Sequence, residues 1–191
     1  MNQRYILTGG PGAGKTTVLE LLRTKGFTCK PEVAREIIKE RLSKGLSPRP
    51  APAQFAQEIL AKEIAQYDQS KLERPPIFFD RGIGDALCML AQYGAMGDAQ
   101  IASQLIQRPY NRMIFLFPPW REIYTTDAER DQSYEEAIEV YKEVRQWYQQ
   151  LGFILVLVPL GRAERRVEFI LNAVINTPNS HCTGAWPTGG A

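Results

Sequence analysis

The stretch GGPGAGKTT, residues 9–17, leaves this chain few folds to choose from. It satisfies G-x-x-x-x-G-K-[ST], with Gly9, Gly14, Lys15 and Thr16 at the defined places. Glycines let the backbone curl so that successive N–H groups turn inward onto phosphate oxygens, and a following helix adds its positive end. That cradle works only between a strand and a helix. An apolar run, RYILT (4–8), precedes it, and an amphipathic segment, KTTVLELLRTKG (15–26), follows it. Gly9, Gly10, Pro11, Gly12, Ala13 and Gly14 form the expected cradle. Lys15 is placed to reach the β- and γ-phosphates, the Thr16 hydroxyl to bind Mg²⁺, and Thr17 to hold the α-phosphate.

The rest of the chain alternates in the same way. Strands are expected at FTC (27–29), PIFFD (76–80), RMIFLFP (112–118) and FILVLVP (153–159). Helical periodicity runs over 32–45, 53–72, 84–107, 133–152 and 162–175, with a break in the third of these near Gly94 and Gly97. Three prolines keep 46–52 out of a helix. Ser133 and Glu136 form a capping box at the start of the 133–152 helix. Strands that are apolar throughout and alternate with helices indicate a parallel sheet covered on both faces, an α/β chain of three layers. The length, 191 residues, suits one domain, expected over 1–178, with 179–191 as a flexible tail lacking periodicity.

Composition then excludes several classes. A net charge of +2 gives no general case for nucleic acid or an acidic membrane surface. His181 is the only histidine and falls in the tail, which disfavours a histidine base. Cys29, Cys88 and Cys182 have the spacing of neither a disulfide framework nor a zinc site, so a reducing, cytoplasmic setting is expected. No signal peptide and no membrane-spanning run is visible.

What the loop does is decided elsewhere. The run PPIFFDRGIGD ends a strand on Asp80, which suits the Mg²⁺ site, and follows it with Arg81. Hydrolytic ATPases commonly place a glutamate beside the strand-end aspartate to activate water. An arginine cannot act as a base, but it can hold a phosphate or orient a hydroxyl. This favours transfer to a bound acceptor over hydrolysis. No Asn/Thr-Lys-x-Asp stretch for reading guanine is present. After the second strand, CKPEVARE places Glu32 toward the binding crevice, with Arg35 and Glu36 behind it; Glu32 is either a catalytic carboxylate or a helix-start charge facing the dipole. PPWREIYTTDAERDQS (118–133) reads as a solvated loop or as a lid carrying Arg121 and Arg130.

Taken in order, the P-loop, PEVARE, FFDRG, the arginine-bearing loop and LVLVPL resemble the nucleoside- and nucleotide-kinase-like P-loop proteins. Within these the chain is most similar to a family of predicted ATPases and kinases that includes the nicotinamide riboside kinase domain of the bifunctional NAD regulator. The resemblance spans about residues 4–175. It implies a five-stranded parallel sheet of order 2-3-1-4-5. It also implies Glu32 as the base for an acceptor hydroxyl, Asp80 at the Mg²⁺ site, and Arg81 near the transferred phosphate. Gly82 stands where related kinases carry a serine. Pro159, Gly161 and Arg162 map to the loop that passes the nucleotide base.

The expected activity is a Mg²⁺-dependent phosphotransferase using ATP, with GTP as the other nucleotide, on a small acceptor such as a nucleoside. Asp85 and Tyr67 are further contact candidates, Tyr67 equally a core residue. The alternative is a nucleotide-binding ATPase or GTPase switch linked to a lipid or a partner, because the wider family also resembles a GTP- and phosphoinositide-binding trafficking regulator. A polynucleotide 5′-end kinase is disfavoured by the near-neutral charge, although Arg162, Arg165 and Arg166 form a local basic stripe.

Overall fold

A computed structural model of the protein describes residues 2–126 and 132–176. In chain order it runs β1 (Arg4–Gly9), α1 (Lys15–Thr24), β2 (Thr28–Lys30), α2 (Val33–Ser43), α3 (Pro52–Gln69), β3 (Ile77–Asp80) and α4 (Ile83–Gln92). It continues α5 (Asp98–Gln107), β4 (Met113–Phe117), α6 (Tyr134–Gln150), β5 (Ile154–Leu157) and α7 (Ala163–Asn176). Arg130 and the expected tail at 179–191 lie outside the described residues.

All five strands join one sheet in the order β2-β3-β1-β4-β5, every neighbouring pair parallel. Its side chains alternate between two cores, as the two-residue strand period requires. Tyr5, Leu7, Phe78 and Phe115 enter the core shared with α1 and α7. Ile6, Phe79 and Ile114 enter the core built with α2 through α6. Coverage is incomplete at the β5 edge, where Ile154 and Leu157 are 61% and 56% exposed.

Local signals place most boundaries. The helical stretch after β3 breaks between α4 and α5, where Gly94 takes φ 59°. Ser133 and Glu136 exchange the expected capping hydrogen bonds at the start of α6. The helix expected over 53–72 starts at Pro52, a favoured first-turn position for proline, and ends at Gln69 in a 3₁₀ turn over Ser70–Leu72. The register between β1 and β3 pairs Leu7 with Asp80. The loop after β1 and the Asp80-Arg81 turn therefore emerge side by side at the carboxyl edge of the sheet.

Candidate active site

The P-loop leaves β1 through backbone that tolerates little but glycine. Gly9 has φ 134°, and a Cβ there would meet the Phe117 carbonyl oxygen of β4. Gly12 has φ 73°, and a Cβ there would collide with the Tyr124 ring. Helix α1 begins after Gly14 with no side-chain cap and no acidic residue in its first turn. Its first N–H groups and positive end are thus left for an anion. Lys15 is buried, and its ammonium donates to the Gly10 carbonyl at 3.0 Å. Burial, followed by the neighbouring Arg81 charge, pulls its pKa down to about 8, against the pull of Asp80, Glu32 and Asp85.

Beside the loop, the Thr16 hydroxyl donates to Asp80 Oδ2 at 3.1 Å. Asp80 Oδ1 is buried and has no hydrogen-bond partner among the described residues. Burial raises the Asp80 pKa to about 6, with Lys15 opposing the rise. An orphaned carboxylate oxygen beside a hydroxyl fits a Mg²⁺ ion, which takes one or two carboxylates and completes its shell with phosphates and water. No group of three potential metal-binding side chains occurs among the described residues, so the nucleotide would supply the remaining ligands.

Arg81 takes φ 69° and its backbone N–H donates to the Leu7 carbonyl at 2.9 Å, which fixes the turn. Its Nε donates to Glu32 Oε1 at 3.0 Å and its Nη1 to Asp85 Oδ1 at 3.3 Å. Glu32 occupies the N-cap position of α2 but does not cap it; its second oxygen accepts from Arg35 Nε at 3.2 Å. Glu32 thus sits at the start of α2, as the helix-start reading expects, and its carboxylate also points into the arginine cluster. Burial works to raise the Glu32 pKa, but Arg81, Lys15 and Arg35 outweigh it and hold the group below its usual range. Asp85 also accepts from the Gly82 N–H at 3.1 Å, from the Tyr148 hydroxyl at 2.8 Å and from the Thr8 hydroxyl. It holds Arg81 from the first turn of α4.

Lys15, Thr16, Glu32, Arg81 and Asp85 line one cavity of about 960 Å³, running from Pro11–Thr17 of the P-loop to α3 and α4; Asp80 is not part of its lining. Gly161 and Arg162 line it on the P-loop side; exposed Pro159 does not. Arg121 lies apart, largely exposed, 3.5 Å from Glu135 and over the Tyr134 ring, in a separate hollow. Tyr67 packs in the core and donates to the Pro109 carbonyl.

Two lining residues went unrecognised as site groups in the sequence. Arg166 is buried, donates to the Ala13 carbonyl at 3.0 Å and lies against the rings of Phe117 and Trp120. It reaches the P-loop from α7, which sequence spacing does not reveal. Glu63 is 1% exposed, and burial, then the Asp85, Glu32 and Asp80 charges, push its pKa well above the usual range. A signal for Glu63 was present. It falls four residues after Ile59 and four before Tyr67, a carboxyl group inside an apolar helical stripe.

The sequence matches the family described as AAA domain over residues 4–166. No curated protein matches it significantly. Among solved structures it is similar to deoxyadenosine kinase from M. mycoides with the products dCMP and dCDP bound, at 14% identity, TM-score 0.58, covering 90% of this chain and 98% of that one. It is similar to thymidylate kinase from Candida albicans, at 14% identity, TM-score 0.63, covering 91% of each chain. It also resembles the NadR protein in complex with NR, at 17% identity, TM-score 0.64, covering 88% of this chain and 50% of that one. At these identities the likeness shows a shared P-loop kinase fold.

Proposed function

We propose that this chain, a member of the AAA-domain family, is a Mg²⁺-dependent phosphotransferase that moves the γ-phosphoryl group of ATP to a hydroxyl of a small acceptor such as a nucleoside. The observation that carries this reading is the Glu32–Arg81–Asp85 cluster beside Asp80. It faces the P-loop across a cavity of about 960 Å³, roomy enough for a nucleotide and a second small molecule. A hydrolase needs only water there. The kinase fold of the neighbours supports the same reading.

The P-loop N–H groups and Lys15 would hold the phosphates, and Arg162 and Gly161 would flank the nucleotide. Thr16 and Asp80 would hold Mg²⁺. When bound, the ion neutralises charge between the β- and γ-phosphates. An acceptor oxygen placed beside Glu32 attacks the γ-phosphorus. Its proton passes to Glu32, the new P–O bond forms as the bond to the β–γ bridging oxygen breaks, and ADP leaves. Little base strength is needed in such a loose transition state, so a carboxylate held below its usual pKa suffices. Arg81 orients Glu32 and offers a fixed positive charge beside the transferred group.

The test is transfer from γ-labelled ATP to a panel of ribo- and deoxyribonucleosides. Acceptor labelling that falls at least about a hundredfold in Glu32→Gln is expected. Slow hydrolysis with no acceptor labelled would overturn the reading and favour a nucleotide switch.

A further inference from the structure

Glu63 does not belong to the phosphate machinery, yet it lines the same cavity from α3, among Phe55, Ile59 and Ala86. Its Oε2 is fully enclosed and has no hydrogen-bond partner among the described residues. Buried carboxyl oxygens left in that condition are rare and costly. The guanidiniums of Arg81 and Arg35, by contrast, are already engaged by Glu32 and Asp85. What the acceptor end of the cavity leaves unsatisfied is thus an acid.

We propose that Glu63 is the specificity-determining residue of the acceptor pocket. Its carboxyl group exchanges a hydrogen bond with a hydroxyl or N–H of the bound molecule, remote from the hydroxyl at Glu32, in a pocket whose other carboxylates favour uncharged acceptors over acidic ones. The apolar walls from Phe55, Ile59 and Met89 suit a flat or cyclic body, which gives an acceptor with one apolar face and at least two polar groups. An added phosphate or carboxylate would have to enter beside the Glu32 and Asp85 carboxylates, whose arginine partners are already engaged. The protonated acid that burial favours at Glu63 could donate as well as accept, so a hydroxyl partner is matched in either sense. A site that hydrogen-bonds a ligand in this way discriminates strongly against molecules that lack the matching group.

This inference takes the cavity's role from the phosphotransferase reading, and binding separates the two. Nucleosides and their matched 5′-monophosphates are titrated into the protein held with a non-hydrolysable ATP analogue and Mg²⁺. Wild type, Glu63→Gln and Glu63→Leu are compared, and transfer from ATP is measured in parallel. Nucleosides are expected to bind wild type at least about tenfold more tightly than their monophosphates. Glu63→Leu should weaken nucleoside binding about tenfold or more while leaving analogue affinity unchanged, and Glu63→Gln should recover most of the loss. Nucleoside binding lost in Glu63→Leu without any transfer would sink the kinase reading and leave this one standing. Monophosphates bound more tightly than nucleosides, nucleosides not bound by wild type, or equal nucleoside affinity in all three proteins would each overturn it.

Discussion

Arg81 is the one non-glycine residue with positive φ among those described, at 69°. The left-handed conformation costs an L-residue about 1–2 kcal/mol. The structure holds it there through its backbone bond to Leu7 and through two carboxylates. Strain kept at such a point in a cleft is consistent with use of the side chain rather than of the turn. Replacing Arg81 by Ala or Gly removes the same guanidinium and leaves the half-buried Glu32 with Arg35, so this loss is the same in each variant. Only glycine also releases the backbone. Arg81→Gly should therefore be about 1 kcal/mol more stable than Arg81→Ala in urea denaturation, with both inactive; equal midpoints would refute stored strain at this turn. Lys15 gives a pH test. Its pKa is about 8, depressed first by burial, and bound phosphates would raise it, so binding takes up a proton above that pH. ADP affinity should be roughly tenfold weaker at pH 9 than at pH 7, with calorimetric proton uptake at pH 9. A flat profile would show that the loop binds without the ammonium. Lys15, Thr16, Asp80 and Arg81 were legible because each sits a fixed number of residues from a strand end. Glu63 was camouflaged by a helix that fits its apolar neighbours equally well.

Elements come together through contacts that no local pattern encodes. Helices α4 and α6 meet at Gly84, where a Cβ would lie 2.6 Å from the Tyr148 hydroxyl oxygen. That hydroxyl donates to Asp85, and Trp147 Nε1 donates to the Gly84 carbonyl at 2.9 Å. Because Asp85 holds Arg81, helix packing here bears directly on the site. Gly84→Ala must push Tyr148 away or part the helices, at a cost of about 1–3 kcal/mol, which is a fall of several degrees in melting temperature. It should also slow transfer, because Asp85 and with it Arg81 would shift with α4. Unchanged stability and rate would show that Tyr148 has room to move. The capping box of α6 and the break between α4 and α5 were readable because their signals lie within a few residues. Gly84 was read only as a place where a helix begins, because its partner lies 63 or 64 residues away and depends on the tertiary fold.

At the scale of the molecule, strand order makes the site. With β1 between β3 and β4, Lys15 and Thr16 arrive next to Asp80 and Arg81; with β2 outside β3, Glu32 arrives on the far side of Arg81. Apolar strands announced a covered parallel sheet, but the order came from family resemblance, because alternation alone permits other windings. β5 departs from full coverage because it is an edge, and its exposed Ile154 and Leu157 lie on the far side of the sheet from Asp80 in strand order. A site assembled from three strand ends should report ligand binding as global stability. ADP with Mg²⁺ at about a hundred times its dissociation constant should add about 2.7 kcal/mol, or roughly 5–10 °C in melting temperature for a chain of this size. Asp80→Asn should leave the shift produced by ADP alone nearly intact and remove the increment that Mg²⁺ adds. Were the increment to survive, Asp80 would be only the buried end of a strand, and the metal would rest on Thr16 and the phosphates without it.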